Sequence, residues 1–211
     1  MKKKVLVLAV AVMGFCGIQV NAQGLGNFFK ERLTGGLKLE GNGTNFLLSD
    51  MSGTKSEIGF GGTFGGFVKI DLAKNFAIQE DILFSYSSSK LTQKGLEDTY
   101  EYFGVEVPIY FMGQWGLASG GRFYAGVGPY LGVGFQAKLK DSDIDLYKKY
   151  DGNDPFMKRI NFGGAAQIGY ELPNGLQFNA SYRIGANALD AGKDDSKMNP
   201  QTVLLGVGYR F

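Results

Sequence analysis

Apolar and polar residues alternate with a period of two over most of the chain after residue 31. In the segment 103–111, aromatic and aliphatic side chains occupy the odd positions, while glycine, glutamate, proline and tyrosine occupy the even ones. Such alternation places one kind of side chain on each face of a β-strand. Eight segments of this kind are predicted, at 32–43, 56–71, 76–88, 98–114, 121–139, 158–172, 175–187 and 201–211.

The connections between these segments alternate between short and long. The short ones are 72–75, 117–120 and 173–175, and the last contains Asn174-Gly175, a pair that favours a tight hairpin. Short turns on one side and long loops on the other are typical of a barrel in an outer membrane. The pattern predicts an all-β fold, an eight-stranded antiparallel up-and-down transmembrane β-barrel over residues 32–211. The predicted long loops are 44–55, 89–97, 140–157 and 188–200.

The N-terminus has the order of features that is typical of a secretory signal peptide. Three lysines at positions 2–4 precede an apolar run over 5–18, which is short for a membrane span, and Val20-Asn21-Ala22 follows. Residues 1–22 are therefore predicted to be a signal peptide that is cleaved after Ala22, with a buried N-terminal helix as the alternative. Residues 23–31 form a separate N-terminal segment, which either packs at the barrel mouth or stays loose.

The charged residues of the predicted strands fall mainly on one face. A charge that faces lipid near the midplane costs about 2–4 kcal/mol, so this face is expected to point into the lumen. Eight strands enclose a lumen that side chains just fill, and buried opposite charges are expected to pair there. Glu80 is an exception, since it falls on the apolar face. The predicted lumen ion network consists of Lys38, Glu40, Asp81, Glu106, Arg122, Arg183 and Arg210.

The lumen is also predicted to contain many glycines together with Tyr102, Tyr110, Tyr124 and Tyr130. These tyrosines would leave no open channel. The same alternation also fits a soluble barrel with its charged face outside and an apolar interior, as in a lipocalin-like periplasmic carrier. The sorting of short and long connections favours the membrane barrel, because a soluble barrel has no reason for it.

Three short motifs resemble a known family. The segment 102–110 contains Glu106-Val107-Pro108, residues 79–81 place Gln79 beside Asp81, and the chain ends in Gly-Val-Gly-Tyr-Arg-Phe. Together with the eight segments, these residues resemble the PorT-like outer-membrane β-barrel (porin) family of Bacteroidota. The resemblance implies insertion by the barrel-assembly machinery, with Tyr209 and Phe211 in the recognition signal. It implies no catalytic residues.

The residue inventory limits the chemistry of the chain. There is no histidine, and the single cysteine, Cys16, lies in the predicted signal peptide, so imidazole or thiol catalysis and His/Cys metal sites are excluded. No catalytic residue, cofactor or metal site is predicted. Asp81 and Glu106 could share a proton, although a structural ion network is the favoured interpretation. The net charge of +2 becomes −1 without the three leading lysines, which argues against binding to nucleic acid.

The predicted loop 140–157 carries two weaker hypotheses. Its segment 141–145 resembles the start of a calcium loop but lacks the required glycine at the sixth position, where Leu146 stands. Lys148 and Lys149 would suit the phosphates of lipopolysaccharide or a surface partner. A solvated acidic loop is favoured over the calcium site, and the phosphate site stays a hypothesis.

Three functions remain open from the sequence. The first is a structural or interaction barrel with a filled lumen, which contacts outer-membrane lipid and binds an extracellular protein or glycan through its long loops. The second is a small-solute pore, and the third is the soluble carrier. No feature of the sequence identifies the ligand or partner.

Overall fold

The computed structural model describes residues 32–149, 154–186, 188–189 and 196–211. The predicted signal peptide and the segment 23–31 lie outside these residues. The fold is built of antiparallel strands joined mostly by tight turns. The strands are β1 (Leu33–Ser49), β2 (Thr54–Ala73), β3 (Phe76–Gln93), β4 (Leu96–Gly116), β5 (Arg122–Leu139), β6 (Ile144–Asp145), β7 (Ile160–Glu171), β8 (Leu176–Gly185) and β9 (Lys197–Arg210).

Eight of these strands form a closed ring of hydrogen bonds. The order is β4-β3-β2-β1-β9-β8-β7-β5, and β4 pairs with β5 to complete the circle. The first and last strands also pair, with Leu39 opposite Val207. The two-residue strand β6 adds only to the end of β5. The predicted eight-stranded antiparallel up-and-down barrel is therefore confirmed.

Most strands are longer than a membrane requires. A tilted transmembrane strand needs about 9–11 residues, whereas β2 has 20 and β4 has 21. The sheet formed by β1–β5 and β9 therefore continues beyond the lipid on the extracellular side. Strands β7 and β8 are shorter, with 12 and 10 residues. The extension is thus taller on one side of the barrel than on the other.

The prediction of two long loops, at 44–55 and 89–97, is wrong, because most of these residues lie in strands. Residues 44–49 and 54–55 continue β1 and β2, and only 50–53 form the turn between them. Likewise, 89–93 and 96–97 belong to β3 and β4, which are joined by Lys94-Gly95 with positive φ values of 51° and 86°. Once a strand leaves the lipid, its outer face can carry serine, lysine and glutamate, so its sequence looks like a loop. In the last predicted loop, β9 begins at Lys197, earlier than expected.

The outer surface is apolar and the interior is polar, as the alternation predicts. Near the periplasmic end, the outer surface carries Phe76, Trp115 and Phe123, and all three are exposed. Near the extracellular end it carries Phe60, Phe103 and Phe135. The ring centres of the last two lie 5.8 Å apart. Aromatic belts toward both ends of the apolar outer surface mark the two interfaces of a membrane. In the described ranges, no helix is long and apolar enough to cross a membrane.

Glycine makes the filled interior possible. A Cβ atom at Gly163 of β7 would overlap the carbonyl oxygen of Ile184 on β8 and would lie 2.8 Å from the ring of Tyr130. Gly163 therefore lets β7 and β8 pair beside a large inward ring. This accounts for the frequent glycines on the inner face of the strands.

Candidate functional site: the filled lumen and its extracellular cap

A buried ion pair lies at the centre of the lumen. Nζ of Lys38 on β1 lies 2.6 Å from Oδ2 of Asp81 on β3, and both side chains are almost fully buried. The same ammonium group donates to Oε1 of Gln167 on β7 at 2.6 Å, and Gln79 donates to Oδ1 of Asp81 at 2.8 Å. Because β1, β3 and β7 are not neighbours in the ring, these bonds cross the lumen.

A second group surrounds Arg183 on β8. Its guanidinium group pairs with Glu106 on β4, and its Nη2 lies 3.4 Å from Oε2 of Glu40 on β1. Asn179 donates a further hydrogen bond to Oε1 of Glu40 at 2.5 Å. The exposed fractions of the Arg183 and Glu40 side chains are 3% and 0%, so water reaches neither charge freely. Opposite charges therefore offset the cost of burying each other.

The third group closes the periplasmic end around Glu171 of β7. Its Oε1 accepts hydrogen bonds from Arg122 at 2.7 Å and from Arg210 at 2.8 Å, and its Oε2 accepts one from Gln177 at 2.7 Å. Lys69 lies nearby and donates to Gln114 at 3.2 Å. We call the three groups together the lumen ladder. Its charged members are Lys38, Glu40, Lys69, Asp81, Glu106, Arg122, Glu171, Arg183 and Arg210.

The seven residues predicted for the lumen network lie in three groups rather than one. Asp81 and Glu106 do not form the pair that was considered, because each binds a different cation. Alternation along the strands did not predict that the amide side chains of Gln114 and Gln167 accept hydrogen bonds from the buried cations. Their inward positions on β4 and β7 were the available signal. Arg159, just before β7, lies outside the three groups; it is exposed, and its guanidinium lies 4.7 Å from the centre of the Tyr147 ring.

Backbone hydrogen bonds from the loops extend the barrel wall above β7 and β8. The amide of Leu146 donates to Ala137 at 2.8 Å, and that of Met157 donates to Leu146 at 3.0 Å. The amide of Ala188 donates to Met198 on β9 at 2.9 Å, and Met157 forms a bridge with Leu189. These contacts connect β5 to β9 across the gap that the short strands leave.

The side chains of this upper wall turn inward and form an apolar cluster, which we call the cap. The rings of Phe46 and Tyr100 meet edge to face at 4.9 Å inside it. Phe46 lies in a segment that was predicted to be a loop, so its inward position was not foreseen. The buried members of the cap are Phe46, Tyr100, Ala137, Leu146, Tyr147, Met157, Ala188 and Met198.

Several charged residues in the described part of the loop 140–157 are engaged within the chain. Lys148 lies 3.5 Å from Oδ2 of Asp145, and Lys149 donates to Asp154 at 2.8 Å. Asp141 accepts a hydrogen bond from the amide of Thr99 at 3.1 Å. Residues 150–153 of this predicted loop lie outside the described residues. Within the described ranges, no group of three or more acidic, histidine or cysteine side chains is placed to hold a metal ion.

A closed barrel with an apolar outer surface, aromatic belts and a charged, filled interior defines an integral protein of the bacterial outer membrane. The model of the outer membrane protein beta-barrel domain family matches residues 8–211. The chain belongs to this family, and its location is the outer membrane.

A solved structure of an outer membrane protein has the same fold. OprG from Pseudomonas aeruginosa is similar with a TM-score of 0.57 at 14% identity, over 85% of this chain and 97% of that one. Neisserial surface protein A is similar with a TM-score of 0.46 at 12% identity, over 84% of this chain and 97% of that one. Ail of Yersinia pestis, in complex with the heparin analogue sucrose octasulfate, has a TM-score of 0.42 at 14% identity, over 85% of this chain and 99% of that one. A comparison with curated proteins finds no match.

Proposed function

We propose that this protein is a plugged anchor that holds a rigid extracellular cap for binding to an extracellular protein or glycan. One observation carries the proposal: the lumen is closed twice along its axis. The ladder fills the membrane-spanning part with paired charges, and the cap fills the extracellular part with apolar side chains. A solute would have to break both closures to pass.

The energetics of the ladder support a closed lumen. Removing one partner of a buried ion pair typically costs about 3–5 kcal/mol, because the other charge is left without compensation. The pairs at Asp81 and at Glu40 join strands that are not neighbours, so opening a path would separate them. An open aqueous channel is the usual property of larger barrels.

The cap supports the second half of the proposal. Its buried core and its backbone bonds to β5 and β9 hold the described parts of the two loops in one arrangement. A surface that is ordered before binding loses less conformational entropy when a partner docks. Lys148 and Asp154, together with the strand turns at Gly53 and Gly95, would form this surface.

The proposal includes the finer assignments from the sequence. The chain would be a PorT-like barrel of Bacteroidota, exported by a signal peptide that is cleaved after Ala22. The barrel-assembly machinery would recognise its last strand through Tyr209 and Phe211, which are both exposed at the periplasmic end and whose rings lie 5.9 Å apart. No catalytic role is proposed, because the inward acids are engaged by cations and amides.

Single-channel recording of the protein from outer membranes, inserted in planar bilayers, tests the closed lumen. The wild type should insert without steady conductance. Tyr147→Ala opens the cap alone, and the pair Glu106→Ala with Arg183→Ala opens part of the ladder alone, so neither variant should conduct steadily. The combined variant should also stay closed, because the groups around Lys38–Asp81 and Glu171 still fill the lumen. Steady conductance of the wild type would contradict the proposal and make a small-solute pore the leading function.

A further inference from the structure

A small cavity lies between the ladder and the cap. Its floor is formed by Arg183 and Glu106, and its roof by Phe46 and Met157. Its volume is about 50 Å³. This chamber is separate from the proposed docking surface, which lies on the outside of the cap.

Positive charge predominates around the chamber. Three cations, Lys158, Arg159 and Arg183, line it together with one carboxylate, that of Glu106. Arg183 is 2% exposed, and its Nε has no hydrogen-bond partner among the described residues. Nη1 of Arg159 donates to the carbonyl oxygen of Phe135 at 3.2 Å, which holds this guanidinium at the chamber wall. Glu106 and Glu40 balance the charge of Arg183. Among the described residues, Lys158 and Arg159 form no ion pair, so these two charges favour an anion.

The remaining walls are divided between hydroxyl groups and apolar groups. Tyr130 donates to Asn161 at 2.9 Å, and both residues face the chamber together with Thr202. On the side of the cap, Ala188 and Pro200 add to the apolar surface. A ligand that fits these walls has an anionic end and a short apolar end.

The size of the chamber limits the ligand further. An engineered apolar cavity of roughly 150 Å³ is enough to hold benzene, and this chamber has about a third of that volume. We propose that the chamber binds a short-chain monocarboxylate of the size of acetate or propionate. The carboxylate lies toward Lys158, Arg159 and the Nε of Arg183, which can donate to its oxygens, and the alkyl end lies against Phe46 and Met157.

The ligand can enter from outside without passing the ladder. Lys158 and Arg159 are exposed on the extracellular side where β7 begins, and both line the chamber. The inference does not depend on the proposed function, since a barrel that carries no solute can still hold this ligand.

Isothermal titration of the full-length folded protein in a non-ionic detergent, at constant ionic strength, tests the inference. Sodium acetate and sodium propionate should bind in a saturable way. Sodium benzoate, which is too large, and methylammonium chloride, which has the opposite charge, should not. Arg159→Gln should weaken binding of propionate about tenfold. The matched control Lys140→Gln, which removes an exposed cation outside the chamber, should leave binding unchanged.

Two outcomes would overturn the inference. Equal weak heats for acetate, benzoate and chloride would mean that no selective site exists. Binding of methylammonium in place of acetate would mean that Glu106 and the aromatic walls, rather than the arginines, determine the ligand. A gel-mobility assay of heated and unheated samples checks that Arg159→Gln folds, and Thr202→Val offers a second variant, which removes a hydroxyl group of the wall without changing its size.

Discussion

The ammonium group of Lys38 lies 2.6 Å from the carboxylate of Asp81, and neither side chain has more than 1% of its surface exposed. The two residues stand on β1 and β3, with β2 between them, so the pair reaches across the inner face of the barrel. The same ammonium also bonds to Gln167 on the far wall. The contact therefore joins three parts of the ring through the lumen.

Breaking this pair should destabilise the barrel strongly. Asp81→Asn leaves the Lys38 charge buried without its partner, and the expected loss in free energy of unfolding is about 3–5 kcal/mol. Urea titration of the protein in lipid vesicles measures it. Glu97→Gln is the matched control, because the Lys90–Glu97 pair is 3.1 Å long but more than half exposed, and its loss should cost less than about 1 kcal/mol. A similar loss for both variants would contradict the structural role of the lumen pair.

Glu106 should contribute to stability rather than to any turnover. Glu106→Gln removes one charge partner of Arg183 but leaves Glu40 in place, so we expect a lower melting temperature and a loss of about 2 kcal/mol. Thermal unfolding followed by circular dichroism is the measurement. An unchanged melting temperature would show that Glu106 is not part of a structural network, and the proton-sharing interpretation would then need to be tested.

Neighbouring glycines on β7 should respond differently to the same substitution. In Gly163→Ala, the new methyl group would overlap the carbonyl oxygen of Ile184 inside the barrel wall, so a loss of about 1–3 kcal/mol is expected. Gly164 faces lipid, and its nearest contact would be the Ile184 side chain at 4.0 Å. Gly164→Ala should therefore be close to neutral in the same unfolding assay. Equal effects would mean that the inner face is not crowded.

The hydrogen bonds that hold the loop after β5 to Asp98 should depend on pH. Burial acts to raise the pKa of Asp98, but hydrogen bonds from the Ser142 hydroxyl and from backbone amides outweigh it and hold this pKa below the ordinary value of 3.8. These hydrogen bonds to the Asp98 carboxylate are therefore fully present above about pH 4 and are lost as the pH falls through its lowered pKa. Hydrogen exchange at the amides of Asp141 and Ser142 should rise there, after correction for the intrinsic rate. Asp98→Asn should show faster exchange already at neutral pH.

The last residue should matter for assembly more than for the finished fold. Phe211 is 72% exposed on the outer surface, and its amide donates to the carbonyl of Gly35 at 2.9 Å. If the assembly machinery reads this aromatic end, deleting Phe211 should reduce the amount of protein in outer-membrane fractions several-fold. Phe178→Ala, at an exposed aromatic near the same end of the neighbouring strand, is the control and should assemble normally. Equal amounts of both variants would count against the signal.

The amino-acid sequence by itself determined the number of membrane strands, the inner and outer faces and the inward position of the charges. These features follow from a period of two and from the cost of a charge in lipid, and both act on each strand separately. Phe103 and Glu106 can therefore be assigned to opposite faces without knowledge of any other strand. The same reasoning failed for residues 44–49, because a strand outside the lipid no longer needs an apolar outer face.

Only the tertiary structure decided which charges meet and how the extracellular end is closed. Arg183 and Glu106 are 77 positions apart in sequence, and the closure of the ring, rather than any local pattern, brings them together. Glu106 could equally have faced Asp81 until the register of β3 and β4 was known. The cap depends on loops that bridge β5 and β9, so the inward position of Phe46 and Met157 follows from packing between distant segments, which alternation along one strand does not encode.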